Sequence, residues 1–150
     1  MATMVVYVSL IRPDLERVDD STCPASAITA SDYNVQLNPA KKLTFDLEFA
    51  KTPTQQELGL SRRPCLPENA AVLFMFAEDD KFGIWMKEMK FPIDVVWLDK
   101  DKKIVSVEKH MKPESYPKVY YPSADARYVI ELNAGVAEKL GAAPGTTLNW

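Results

Sequence analysis

The clearest pattern in the chain is a strict alternation of apolar and polar residues from Leu43 to Phe49. Side chains of a β-strand point alternately to opposite faces of a sheet, so a period of two predicts a strand with one buried and one wet face. Further strands are predicted at 72–76, which is a continuous apolar run, and at 82–86, 93–98, 104–107, 127–132 and 146–150.

Turn residues separate several of these runs. Residues 77–81 (AEDDK) and 99–102 (DKDK) are predicted turns, and the second closes a hairpin between the strands at 93–98 and 104–107. Residues 109–122 contain three prolines and three tyrosines and are predicted to form a long loop. Loops of this length are disproportionately functional or mobile.

Two short helices interrupt the strands. Thr52 is a good N-cap, Pro53 suits the first helical position and Gln55 can close a capping box, so a short helix is predicted here. Residues 134–140 predict two further helical turns, closed by Gly141. Several short strands with two short helices predict a mainly β fold, a small β-sandwich or barrel.

The chain divides into an N-terminal arm and one domain. Residues 1–40 are predicted to be an arm or linker, because 12–40 are rich in Pro, Ser, Thr, Asp and Ala, without sustained periodicity. Residues 41–150 are predicted to form a single β domain, as expected for a chain of 150 residues. The apolar segment 4–11 is too short to span a membrane. It is interpreted either as a strand or as the end of a removed anchor.

Composition and charge argue against some classes of function. The formal net charge is −3 and the sequence pI is about 5.2, which argues against a dedicated nucleic-acid binder. Cys23 and Cys65 are too few for a disulfide scaffold or a four-cysteine zinc site. They are either two separate thiols or a single disulfide that ties the arm to the domain, and a disulfide would place the protein outside the cytoplasm.

Several short segments occur in an order that resembles the domain-of-unknown-function family 192 (DUF192). They are ELGLSRRP at 57–64, LFMF at 73–76, FGIWMK at 82–87, PIDVVWLD at 92–99, RYVIELNAG at 127–135, LG at 140–141 and PG at 144–145. The chain departs from the family pattern at Ser61 (usually Met), at 71–72 (usually Gly-Met) and at 88–89 (usually Asn-Thr). The resemblance implies a small sandwich-like or barrel-like β fold, often behind a signal or lipid anchor. It implies no established activity.

Five residues form a candidate ligand-binding site: Trp85, Lys87, Asp94, Arg127 and Glu131. Asp94 interrupts an apolar strand, and a buried carboxylate needs a partner. Lys87 and Arg127 are the obvious cations, and Glu131 is a second acid for the same site. The structural alternative is a salt-bridged network that fixes strand order, with Trp85 in the core.

Three functional hypotheses follow. The first is a non-enzymatic binding module for a small polar ligand such as a glycan. The second is a hydrolase-type enzyme in which Asp94 and Glu131 act as an acid/base pair about 5–10 Å apart. The third is a structural or accessory domain that binds another protein.

No cofactor and no metal site are predicted, because His110 is the only histidine and no P-loop, GxGxxG, GxSxG or HExxH motif occurs. We expect an extracytoplasmic location, with contact to a membrane only through an N-terminal anchor.

Overall fold

The computed structural model describes residues 23–24 and 33–150. In that part of the chain, eight strands and two short helices follow one another. They are β1 (Tyr33–Asn38), β2 (Leu43–Ala50), α1 (Pro53–Leu58), β3 (Ala70–Asp80), β4 (Ile84–Trp85), β5 (Ile93–Leu98), β6 (Ile104–Met111), β7 (Val119–Tyr120), β8 (Ala126–Asn133) and α2 (Val136–Lys139).

Six strands form one curled sheet in the order β1-β2-β3-β8-β5-β6, and β4 pairs with β7 in a second sheet. The pairing of β2 with β3 is parallel, with α1 in the crossover between them, and the other pairs are antiparallel. The curled sheet forms a half-barrel, which confirms the prediction of a mainly β fold with two short helices.

The two faces of the large sheet pack into separate hydrophobic clusters. One cluster joins residues of β2, β8 and α2 with the C-terminal segment, as at Leu47, Leu132, Ala137 and Leu148. The other covers the opposite face with residues from the loops after α1 and after β4. Successive side chains of a strand point to opposite faces of the sheet, and this alternation separates the two clusters. Polar side chains can therefore meet only when they point to the same face.

The predicted elements hold in position but several differ in length. The strand at 43–49 and the capping box at Thr52 are confirmed. The predicted turn at 77–81 is wrong, because β3 continues to Asp80 and pairs with Ala126 beyond an irregularity in the register. The predicted strand at 82–86 is reduced to β4.

The second half of the chain shows similar differences. The predicted loop at 109–122 contains the end of β6 and all of β7. The helix α2 has four residues rather than two full turns. The predicted last strand at 146–150 is wrong, since its only pairing in the described structure is an isolated bridge between Lys103 and Thr147.

The sheet begins before residue 41, because β1 pairs with β2. The remainder of the predicted arm, residues 1–22 and 25–32, lies outside the described residues, and so does the apolar segment 4–11. Within the described residues, no helix is long and apolar enough to cross a membrane.

Cys23 and Cys65 form a disulfide, with their Cα atoms 5.8 Å apart and a sequence separation of 42. Of the two alternatives drawn from the sequence, the disulfide is therefore the one observed. Chain-entropy arguments give a stabilisation of about 4 kcal/mol for a closed loop of this length. Cys65 lies in the segment between α1 and β3, so the bond holds Cys23 beside that segment.

Asp94 has a structural role in this fold. Its side chain is fully buried, and its two oxygens accept hydrogen bonds from the backbone N–H groups of His110 (2.8 Å) and Ala137 (2.9 Å). Ala137 lies in the first turn of α2, whose N-cap residue Gly135 has no side chain to accept such a bond. Asp94 therefore caps α2 from β5. The predicted ion pairs of Asp94 with Lys87 and Arg127 are wrong.

Replacement of Asp94 by alanine is expected to lower the free energy of unfolding by about 2–5 kcal/mol, because the buried N–H of Ala137 and the partly buried N–H of His110 lose their acceptor. Urea denaturation measures this change. Asp79→Ala is the control, since its ion pair with Arg127 is partly exposed and contributes less than about 1 kcal/mol. Equal effects of the two substitutions would contradict this role of Asp94.

Candidate functional site

Glu131 is the buried carboxyl at the centre of the candidate site. It lies in β8 opposite Val72 of β3 and Val95 of β5, and its side chain is 5% exposed. Both neighbours belong to the cluster below the loops after α1 and β4, so the carboxyl group points to that face of the sheet. The backbone N–H of Leu60 donates to the carboxylate, whereas Oε2 has no hydrogen-bond partner among the described residues.

Gly59 lets the main chain pass directly beside this carboxyl group. Its φ of +46° lies in the region that favours glycine. A Cβ atom at this position would lie 3.0 Å from the ring of Phe74 and 3.2 Å from Glu131 Oε2. A side chain here would therefore occupy the space next to the unpaired oxygen.

Side-chain hydrogen bonds cap the helix α1 and, through Gln56, attach it to the sheet. Thr52 and Gln55 form a capping box, in which the Thr52 hydroxyl accepts from the N–H of Gln55 and the Gln55 amide oxygen accepts from the N–H of Thr52. The Gln56 side-chain amide donates to the carbonyls of Ala50 (3.3 Å) and Met75 (2.9 Å). These bonds hold the end of α1, and with it Gly59, over Glu131.

Burial raises the pKa of Glu131 to about 7. The nearby Arg63 guanidinium and the Leu60 N–H oppose this rise without cancelling it. Arg63 forms a two-pronged ion pair with Glu48, at 2.8 and 2.6 Å, and this ion pair raises the pKa of Arg63. The guanidinium of Arg63 is thus paired with the carboxylate of Glu48, so its charge stabilises ionised Glu131 only in part.

Two adjoining cavities open beside Glu131. The inner cavity has a volume of about 130 Å³ and is lined by Gln56, Glu57, Leu58, Gly59, Leu60, Ser61, Phe74, Ile84, Trp85, Met89 and Glu131. The outer cavity has a volume of about 220 Å³ and is lined by Thr54, Glu57, Leu58, Ser61, Arg62, Trp85, Lys87 and Glu88. The four residues they share, Glu57, Leu58, Ser61 and Trp85, form the boundary between them.

The loops that carry these cavities are bonded to each other. The Ser61 hydroxyl donates to the carbonyl of Lys87 (2.9 Å), and the N–H of Arg62 donates to the carbonyl of Glu88 (2.9 Å). The side chains of Arg62 and Glu88 add an exposed ion pair at 2.8 Å. The cavity walls are therefore connected by one backbone hydrogen bond, by the Ser61 hydroxyl and by the Arg62–Glu88 ion pair.

Trp85 forms an exposed aromatic surface at the mouth of the cavities. Its side chain is 44% exposed, and its ring meets that of Tyr116 edge-on with centroids 5.9 Å apart. Lys87 Nζ lies 5.4 Å from the Trp85 ring centroid. Leu58 is also exposed, so Leu58, Trp85 and Tyr116 form an apolar rim along part of the cavity mouth, next to charged residues such as Lys87 and Glu88.

Three of the five residues predicted from the sequence come together here: Trp85 and Glu131 at the inner cavity, and Lys87 at the outer one. Arg127 does not, because it forms a 2.6 Å ion pair with Asp79. Four residues along β8 place it about 13 Å from Glu131. Asp94 is also elsewhere, as the acceptor that caps α2.

The proposed acid/base pair of Asp94 and Glu131 is wrong. Asp94 lies opposite Leu132, and Glu131 lies opposite Val95. Adjacent positions in this register place the two carboxyl groups on opposite faces of the sheet. They cannot act together on one substrate.

Sequence reasoning missed the contribution of the segment around α1, above all Gln56, Glu57 and Gly59. The signal was present in a helix that ends at a glycine, which predicts a positive φ but not the neighbouring carboxyl. Three positions that differ from the resembled family pattern, Ser61, Glu88 and Met89, also line the cavities. No group of three or more His, Cys, Asp or Glu side chains suited to a metal ion occurs within the described residues.

Comparison with known proteins identifies the family. The model of the DUF192 family, described as uncharacterized ACR, matches residues 35–150, so the chain belongs to this family, as the sequence motifs predicted. A UPF0127 protein of Thermococcus sibiricus is 31% identical over 112 residues, 73% of this chain and 69% of that protein. A UPF0127 protein of Pyrococcus furiosus is 25% identical over 122 residues, 77% of this chain and 96% of that protein.

Two crystal structures have a similar fold, each with a TM-score of 0.67 and each covering 71% of this chain. One is a protein of unknown function from Novosphingobium aromaticivorans, 25% identical, of which 76% is covered. The other, described as "a putative transcription regulator", comes from Sinorhizobium meliloti, is 31% identical and is covered over 81% of its length. These relatives support the fold and provide no specific activity.

The raised pKa of Glu131 predicts a characteristic dependence of stability on pH. Between about pH 4.5 and pH 7 the folded protein binds a proton at Glu131 that the unfolded chain releases, so the free energy of unfolding falls as pH rises through this window. A shift from 4.5 to about 7 corresponds to about 3 kcal/mol. Urea denaturation measures the free energy of unfolding of the wild type and of Glu131→Gln at each pH. The wild-type value minus the variant value should decrease by that amount between about pH 4.5 and pH 7. A constant difference would contradict the shift.

Proposed function

We propose that this DUF192 chain is a non-enzymatic binding module that holds a small polar ligand in the inner cavity, against Glu131 and Trp85. The observation that carries this proposal is Glu131 Oε2, a buried oxygen without a partner among the described residues, beside a cavity. Leaving such an atom unpaired costs about 1–3 kcal/mol, and a polar hydrogen of a ligand removes that cost.

The aromatic rim favours a ligand that has both an apolar face and polar groups, such as a sugar ring. Trp85 offers an exposed ring next to the cavity, supported from the side by Tyr116. Lys87 lies over the same ring, so its side chain either moves aside or contacts the ligand from the outer cavity. The hydrolase alternative loses its basis, because its two carboxyl groups lie on opposite faces of the sheet.

We further propose that the module acts outside the cytoplasm. The disulfide between Cys23 and Cys65 supports this location, since such bonds persist in oxidising compartments. The net charge of −3 gives no support for a role in nucleic-acid binding. Thiol alkylation of the chain taken from its native cells tests the location: both cysteines should resist labelling until they are reduced.

A thermal-shift screen with monosaccharides, amino acids and short amines, followed by titration of each hit, tests the binding function. A ligand at about 100 times its Kd stabilises the fold by about 2.7 kcal/mol. We expect Trp85→Ala to raise the Kd of a true ligand by about tenfold, the value of a good aromatic contact. Arg127→Ala is the matched control, because this residue belonged to the sequence-predicted site but lies elsewhere, and it should leave the Kd unchanged.

Two results would overturn the proposal. In the first, no ligand of the panel stabilises the wild type. In the second, Trp85→Ala and Arg127→Ala weaken binding equally, which would place the ligand away from the cavity. The first result would favour an accessory domain that docks a protein on the apolar rim formed by Leu58, Trp85 and Tyr116.

A further inference from the structure

We propose that the group accepted beside Glu131 is a protonated amine, so that the ligand is a small organic cation such as a primary alkylammonium. This inference rests on the proposed binding function and deepens it by naming the chemical class of the ligand. It follows from three properties of the inner cavity: which of its hydrogen-bonding groups are already engaged, the sign of its charge, and the nature of its walls.

Three hydrogen-bond donors around the inner cavity are already bonded to protein acceptors, whereas several acceptor atoms can still accept a hydrogen bond from a ligand. The Gln56 amide nitrogen donates to two backbone carbonyls, the Ser61 hydroxyl donates to the carbonyl of Lys87, and the Leu60 N–H donates to Glu131. The other polar atom of the Gln56 side chain is an acceptor, as are Ser61 Oγ and Glu131 Oε2. A ligand that fits this lining supplies donors, and an ammonium group supplies three.

The charge of the cavity has the matching sign. Its two ionisable lining residues, Glu57 and Glu131, are both acidic. The cation that acts on Glu131 is Arg63, which is held by Glu48 at 2.6 and 2.8 Å. Val72 and Val95, opposite Glu131 on the neighbouring strands, carry no charge. The ionised group of Glu48, Arg63 and Glu131 therefore has one more negative than positive charge, which a cationic ligand neutralises.

The walls and the size of the cavity suit an ammonium group on a short stem. Phe74, Ile84, Trp85 and Met89 provide apolar and aromatic surface, and aromatic rings attract cations. The volume of about 130 Å³ is well beyond what one water needs. The adjoining outer cavity leaves space for the remainder of a larger ligand.

Titration of the wild type with n-butylammonium chloride and with 1-butanol, followed by NMR, tests this inference. Only ionised Glu131 attracts the cation, and its pKa is about 7. The butylammonium Kd should therefore be about 30-fold lower at about pH 8.5 than at about pH 5.5. The uncharged alcohol should bind more weakly than butylammonium at the higher pH.

Glu131→Gln keeps the shape of the side chain and removes its charge, so it should weaken butylammonium binding at the higher pH by at least about tenfold and abolish the pH dependence. Glu138→Gln, the same substitution on the exposed surface of α2, is the matched control and should change neither. If Glu131→Gln does not fold, the comparison of the two probes on the wild type still decides the question.

The outcomes separate this inference from the proposed function. If 1-butanol binds as tightly as butylammonium, or if the affinity for butylammonium does not rise with pH, the ligand is not a cation. In that case a neutral polar ligand found in the thermal-shift screen would still support the binding function. Absence of butylammonium binding also overturns the inference. Failure of every ligand class in the screen overturns the binding function itself.

Discussion

The constraint on which the site depends is the burial of one carboxyl group, that of Glu131, in the middle of a curled β-sheet. Placing an ionisable group in an apolar face is costly, and the structure offsets that cost only in part, through the Leu60 N–H and the charge of Arg63. One oxygen is left without a partner in the described structure. Because Gly59 has no side chain, there is space next to that oxygen. A ligand placed there can supply the hydrogen bond that Glu131 Oε2 lacks.

A comparison with Asp94 explains why Glu131 is distinctive. Both acids are buried in neighbouring strands of the same sheet, one register position apart on opposite faces. Both oxygens of Asp94 are used by backbone N–H groups that bind β6 and α2 to β5, so its role is structural. The same sheet thus contains one carboxyl group whose two oxygens both accept hydrogen bonds, and a second whose Oε2 has no partner among the described residues and borders the inner cavity.

Local signals predicted much of the fold, whereas the site depended on pairing that a single sequence does not reveal. The alternation at 43–49 and the capping box at Thr52 act within a few residues, and both are confirmed. Which face Asp94 and Glu131 occupy depends on the register between β5 and β8, and a shift of one residue would exchange the faces. Arg127 was misplaced for a related reason: β3 extends past the predicted turn and brings Asp79 to it.

The central claim, that Glu131 is a buried carboxyl open to a ligand on one side, is tested most directly by NMR titration of its side-chain carboxyl carbon, assigned by comparison with Glu131→Gln. The account predicts a midpoint at about pH 7, and a shift of that midpoint to lower pH when butylammonium is present, because a cation stabilises the ionised form. A midpoint near the ordinary value of 4.5, unchanged by the cation, would contradict it.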